Sequence, residues 1–258
     1  MALRLMPHTI VAYGLSDMGL IRQNNEDVWA SVLEKRLFIL ADGMGGHQAG
    51  EVAAKEAVQY FLSRFQSAVP KSDTPQDIQE MIRAIIRDTN TFIFRLGQTH
   101  ELLRGMGTTF CCLYFLEDFA LYAHVGDSRI YRVRDGQVMQ LTHDHSLLRE
   151  LIDLGQIREQ QIDEFLYKNI ITRAIGTESN VEPTVEVTPL QIGDLYLLCS
   201  DGLSDLLSVE EIQTVLVASL TIEEKVRSLI AEAKQRGGHD NITVVIVEIR
   251  KAHESISR

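Results

Sequence analysis

At 258 residues, with 45% hydrophobic and 24% charged side chains, the chain has a globular composition rather than a disordered or fibrous one. A globular chain of this length buries roughly three quarters of its unfolded surface, so its core needs no disulfide or oligomer. A net charge of −11 repels nucleic acid and anionic membrane, and neither is expected as a partner.

No apolar run approaches the roughly 20 residues needed to span a bilayer. The first eight residues, Met1 to His8, lack the apolar stretch and small-residue cleavage site of a signal peptide. Cys111 and Cys112 are adjacent and Cys199 lies in an apolar run, a pattern that gives no disulfide framework. These features predict a cytoplasmic protein.

In chain order, Thr9–Gly14, Val28–Val32 and the continuous apolar run Leu37–Ala41 read as strands. From Gln48 to about Phe65, Val52, Ala53, Ala57, Tyr60 and Phe61 recur at helical spacing. Thr74 is placed to cap a second helix with Pro75 at its first position, and Ile78, Ile82, Ile85, Ile86 and Ile93 lie on its apolar stripe. A β-rich middle follows: Thr108–Phe115, Phe119–Val125, Arg129–Arg134 and Gln137–Leu141, with Asp135-Gly136 as a hairpin turn.

Residues from about Ser146 to Lys168 keep a helical pattern but are more polar, which suggests a separate flap. Leu195–Cys199 reads as a buried strand. Ser208–Leu220 and Ile222–Lys234 read as helices capped by Ser208 and Thr221, and Ile242–Ile249 as a final strand. With no repeat or linker to divide it, the chain reads as one domain over residues 1–258, with a flap subdomain at about 146–168. The fold class is α+β: a central sandwich of two antiparallel sheets flanked by helix pairs, a four-layer αββα arrangement.

Three aspartates share one setting, an apolar strand followed by Asp and then Gly or Asn: Asp42-Gly43, Asp201-Gly202 and Asp240-Asn241. A fourth, Asp127, follows the run Ala120–Val125. Carboxylates at strand ends point into one cleft, and glycines beside them let backbone approach a ligand closely. Two such charges 4 Å apart repel by about 4 kcal/mol at moderate dielectric. Hard divalent cations remove that cost, and ligands that are all oxygen favour magnesium or manganese over zinc.

Seven segments, in order, resemble the motifs of the metal-dependent (type 2C) protein phosphatases in their bacterial form. They are Ser16–Asp27, Ala41–His47, Met106–Thr109, Val125–Arg129, Thr142–Ser146, Ser200–Leu203 and Gly238–Thr243. The resemblance implies a phosphatase that removes phosphate from serine and threonine of proteins by direct attack of a metal-bridging hydroxide, using two to three Mg2+ or Mn2+ ions.

Carried over by residue, it implies that Asp42 bridges two metals and the Gly43 carbonyl binds one of them. Asp201 and Asp240 hold the second ion, and Asp127 with Asp201 a weaker third. Glu26 and Asp27 lie near the first metal, mainly through water. Arg22 holds the substrate phosphate, its planar fork binding two oxygens as lysine cannot. Many eukaryotic members carry a histidine after the first Asp-Gly, proposed to protonate the leaving alcohol. This chain has Met44 there. That leaves His47, or a metal-bound water, as the candidate acid. The implied partners are phosphorylated protein substrates and a cognate serine/threonine kinase.

Other readings fit less well. Gly126-Asp127-Ser128 lacks the late Asp-x-x-His of Gly-Asp-Ser hydrolases. Gly43-Met44-Gly45-Gly46 lacks the third glycine of a dinucleotide loop. His143 and His145 have no cysteine or further histidine at ligand spacing. A catalytically inactive relative serving as a scaffold is the rival from another class; such proteins usually lose metal ligands, and here all four aspartates and Arg22 are present.

Overall fold

The structure, a computed structural model, describes residues 8–45, 49–157, 165, 167 and 170–252. The chain opens with β1 (His8–Asp17), β2 (Asp27–Val32) and β3 (Leu37–Met44), then α1 (Ala49–Ser67) and α2 (Pro75–Thr99). Next come β4 (Gly107–Thr108), β5 (Phe110–Phe115), β6 (Phe119–Val125), β7 (Arg129–Arg134), β8 (Gln137–Gln140) and α3 (Leu147–Asp153). The last part holds β9 (Thr184–Pro189), β10 (Leu195–Cys199), α4 (Asp201–Ser204), α5 (Val209–Val217), α6 (Ile222–Gln235) and β11 (Ile242–Lys251).

One sheet runs β1-β11-β10-β7-β8 and the other β2-β3-β5-β6-β9, with β4 paired to β3 off that path. All of these strand pairs are antiparallel. Helices α1 and α2 cover the second sheet through Ala53, Ala57, Phe61, Ile82 and Ile86; α5 and α6 cover the first through Ile212, Leu216, Val226 and Leu229. Between the sheets lies a third core of Phe38, Leu113, Phe115, Tyr196, Leu198 and Val247. The four-layer expectation is met. Strands read as continuous apolar runs, such as Leu195–Cys199, are buried on both faces, one toward helices and one toward the other sheet.

Local signals explain the boundaries. The Thr74 side chain accepts from the Asp77 amide at the start of α2, with Pro75 at its first position. Ser208 with Glu211, and Thr221 with Glu224, form full capping boxes on α5 and α6. Asp135 and Gly136 both adopt positive φ (52° and 75°), as a tight right-twisting hairpin requires. Ser146 caps α3, which occupies the start of the expected flap; residues 158–164, 166, 168 and 169 of that segment lie outside the described residues.

Two features differ from the sequence reading. β9 was not anticipated: Thr184–Pro189 is short, alternates buried Val185 with exposed Glu186, and follows Pro183 and ends on Pro189 at a sheet edge. β3 also continues past its apolar run, because Gly43 and Met44 pair with Thr108 and Gly107 of β4. Asp42 therefore lies within a strand and not beyond its end.

Phe115 joins the layers, its ring 5.9 Å from Phe38 and 5.2 Å from Tyr196 of the opposite sheet, both edge-on. Phe115→Ala should lower unfolding stability by about 3–5 kcal/mol. Urea unfolding checks this: the midpoint falls with little change in slope.

Candidate metal centre and phosphate site

Strand register brings the acidic residues to one edge of the sandwich. Asp27 at the start of β2 faces Asp42 on β3. Asp127 follows the end of β6, whose Val125 pairs with Phe110 of β5. Asp201 opens α4 just after β10, and Asp240 precedes β11, whose Val244 pairs with Cys199 of β10. The expected ligands Asp27, Asp42, Asp127, Asp201 and Asp240 act on one another electrostatically, and Glu26 adjoins them in the chain.

A frame of hydroxyl and amide groups holds these carboxylates. The Asp42 amide donates to Thr109 Oγ1 at 2.9 Å, and its carbonyl accepts from the Thr109 amide and Thr108 Oγ1, each at 2.8 Å. Thr109 Oγ1 is in turn 2.7 Å from Ser128 Oγ, which links Asp42 to the Asp127 turn. Gly126 in that turn has φ +102°, and a Cβ there would lie 2.7 Å from the Thr109 methyl.

Ser200 Oγ and Thr243 Oγ1 donate to Asp27 Oδ2 at 2.8 and 2.7 Å, joining the two sheets. Asn241 accepts from the Glu26 amide at 2.8 Å and donates to the carbonyls of Asn24 and Met18 at 2.9 and 3.1 Å. Gly43 donates to the Glu26 carbonyl at 3.1 Å, and a Cβ on Gly43 would stand 2.1 Å from the Gly50 carbonyl. No side chain fits there.

Sequence reasoning assigned no role to Ser200, Thr243, Asn241, Thr109, Ser128 or His145, although all lie in the recognised motifs. The only signal was their position beside the aspartates. His145 is buried and stacked on His124 with ring centroids 4.6 Å apart. Its Nδ1 accepts from the Gly126 amide at 3.2 Å and its own amide donates to the Gly126 carbonyl at 3.0 Å. The ring thus stays neutral and braces the Asp127 turn. Burial, with His124 and Arg173 nearby, pushes its pKa down to about 3. His143 meets Asp153 and Arg149 at the surface, each at 2.8 Å, and does not share a ligand set with His145.

The carboxylates fit hard cations. Oδ1 of Asp27, Asp127 and Asp201 is buried without a hydrogen-bond partner, a costly state for polar atoms that lack a counter-charge. Among the described residues no three His, Cys, Asp or Glu side chains close into a ready cage. Carboxylate donors alone suit magnesium or manganese, which keep several waters as ligands.

Arg22 Nη2 donates to Asp240 Oδ2 at 2.7 Å, with the two side chains 48% and 37% exposed. Such a surface pair is worth about 0–1 kcal/mol, so an arriving phosphate readily draws the guanidinium to itself. Met44 lies in β3 beside Gly107. His47 lies outside the described residues.

Burial raises the carboxyl pKa values: to about 6 for Asp27 and about 7 for Asp127. Asp42 and Asp201 also lie well above the usual range, from burial first and then from neighbouring carboxylates. A raised folded-state pKa means that the unfolded chain releases its protons first as pH rises. Between about pH 4 and pH 7 the metal-free fold therefore loses stability with rising pH. The expected outcome is a thermal midpoint in EDTA that falls from pH 5 to pH 8, and a manganese-induced gain that is larger at pH 8. Scanning calorimetry at both pH values checks this. A midpoint that rises with pH in EDTA would contradict it.

The family model for protein phosphatase 2C matches residues 21–240. Protein phosphatase PhpP of Streptococcus pneumoniae is 37% identical over 240 residues, covering 92% of this chain and 96% of PhpP. The solved serine/threonine phosphatase of S. agalactiae superposes with TM-score 0.86 at 40% identity, covering 93% of this chain and 99% of that one. The catalytic domain of the serine/threonine protein phosphatase PstP, solved in complex with two manganese ions, superposes with TM-score 0.81 at 36% identity, covering 95% and 100%. With likeness over nearly its whole length and every aspartate of the cleft in place, the chain belongs to the protein phosphatase 2C family in its bacterial form, and is a protein serine/threonine phosphatase.

Proposed function

We propose that the acidic cleft hydrolyses phosphoserine and phosphothreonine on protein substrates with magnesium or manganese, held by Asp42, the Gly43 carbonyl, Asp127, Asp201 and Asp240. The observation that carries this is the set of buried, unpartnered carboxylate oxygens on Asp27, Asp127 and Asp201 at one edge of the sandwich. Bound divalent cations lower the pKa of coordinated water toward neutrality and offset charge on the phosphoryl group.

This chain's own residues supply the positioning. Asp42, fixed on both sides by Thr108 and Thr109, offers its carboxylate at the centre of the acidic set. Asp27, held by Ser200 and Thr243, orients the surrounding water together with Glu26. Arg22 at the rim turns from Asp240 to two oxygens of the phosphate. His47 is the side chain nearest in sequence to Asp42 that is able to protonate the leaving alcohol; Met44 cannot. The scaffold alternative is disfavoured by the complete ligand set.

We further read residues 1–258 as one phosphatase domain, with a flap subdomain at about 146–168 within it. Among the described residues no helix is long and apolar enough to cross a membrane, and the three cysteines are free. These features support action in the cytoplasm, opposite a serine/threonine kinase that makes the substrates.

Phosphate release from a phosphothreonine peptide should require manganese or magnesium, stop in EDTA and be abolished in Asp201→Asn. Release that persists in EDTA would exclude the metal reading. No release with either metal, from a folded protein, would favour the scaffold. Arg22→Lys should raise KM by about tenfold with a smaller change in kcat, because one ammonium replaces a two-pronged fork.

A further inference from the structure

The turn that carries Arg22 holds an apolar surface that the phosphate chemistry does not use. Met18, Leu20 and Ile21 are 43%, 58% and 65% exposed. Among the described residues no other stretch of four carries three exposed large apolar side chains. Single exposed leucines are ordinary, whereas clustered ones mark contact surfaces.

This turn is held in place at several points. Asp17 accepts from Lys234 Nζ and from the Gly19 amide, both at 2.9 Å. The Leu20 amide donates to the Gly238 carbonyl at 2.8 Å, and Asn241 Nδ2 donates to the Met18 carbonyl at 3.1 Å. Gly19 takes φ +79° and lies so close to the next loop that a Cβ would fall 2.2 Å from the Asp240 carbonyl. The apolar side chains thus stand on a fixed support, joined to the loop that bears Asp240 and directly before Arg22. A pre-formed surface of this kind binds without an ordering cost.

From this we infer that Met18, Leu20 and Ile21 form an apolar shelf for an aliphatic or aromatic side chain adjacent to the phosphorylated residue of the protein substrate. The inference rests on the phosphatase reading and on Arg22 as the phosphate anchor. Its argument is continuity: a peptide whose phosphate reaches Arg22 places its neighbouring residues against the same turn. The occupant is apolar because the shelf offers no charged side chain between Asp17 and Arg22.

Two phosphothreonine peptides that differ only in carrying leucine or serine on both sides of the phosphothreonine provide the test. With manganese, the wild-type protein should favour the leucine-flanked peptide by about tenfold in kcat/KM, through KM. The double variant Leu20→Ser/Ile21→Ser should bring that ratio to about one while its thermal midpoint is kept. Equal kcat/KM for the two peptides in the wild type overturns the proposal. So does a ratio that the double variant leaves unchanged, or a fall on both peptides alike. If the wild-type protein releases phosphate from neither peptide nor from p-nitrophenyl phosphate, the phosphatase reading itself fails and takes the shelf with it.

Discussion

Mutual repulsion among the carboxylates at one edge of the sandwich is the constraint that the rest of the structure answers. A pair of such charges at 4 Å costs about 4 kcal/mol at an effective dielectric of 20, and several are gathered here. Among the described residues the nearest internal cations are already paired: Lys234 is used on Asp17, and Arg129, which also acts on Asp127, is used on Asp144. Arg22 ion-pairs with Asp240 at the rim and acts on Glu26 and Asp42 only through space. Neutral hydroxyl and amide groups instead do the holding. Ser200, Thr243, Thr108 and Thr109 fix positions without cancelling charge, so the net negative field stays available to a divalent ion.

The fold supplies the stiffness this requires. Each acid lies on or directly beside a strand or helix of the sandwich, and the two sheets are locked by Phe38, Phe115 and Tyr196 between them. Thr243 of β11 reaching Asp27 of β2 adds a polar bridge between the sheets at the cleft itself. Close packing of glycines completes the frame. Gly43 against Gly50, and Gly202 against the Asn241 carbonyl, bring backbones closer than any Cβ would permit. Asp27 and Asp42 are thus placed by strands and Asp201 by the start of α4, while Asp127 and Asp240 sit in short turns braced against them, which suits a site whose ligands must keep their spacing while charged.

Much of this was legible in the sequence for identifiable reasons. The capping boxes at Ser208 and Thr221, the Thr74-Pro75 start and the Asp135-Gly136 turn are local, and local chemistry is written in adjacent residues. Asp42, Asp127 and Asp201 were legible because each follows or joins an apolar strand; Asp240, expected after one as well, instead follows α6 and a short loop and precedes β11. β9 was not, because an edge strand paired on one side needs little apolar sequence to hold it. The continuation of β3 through Asp42 was hidden for a different reason: it depends on pairing with Gly107–Thr108, more than sixty residues away.

The supporting residues were the hardest to read. Ser200, Thr109 and Asn241 look like ordinary turn or cap residues, and only the three-dimensional register turns them toward Asp27, Asp42 and Glu26. His145 illustrates the same limit. Beside His143 in sequence it resembles half of a metal-binding pair, yet in the structure it faces His124 and binds both the amide and the carbonyl of Gly126. Its neutral ring supports the Asp127 turn, while the His145 main-chain carbonyl accepts from the Thr172 amide at 2.8 Å. His145 thereby meets the Asp127 turn through its ring and amide, and Thr172 through its carbonyl, so one buried residue joins two segments that lie far apart in the chain.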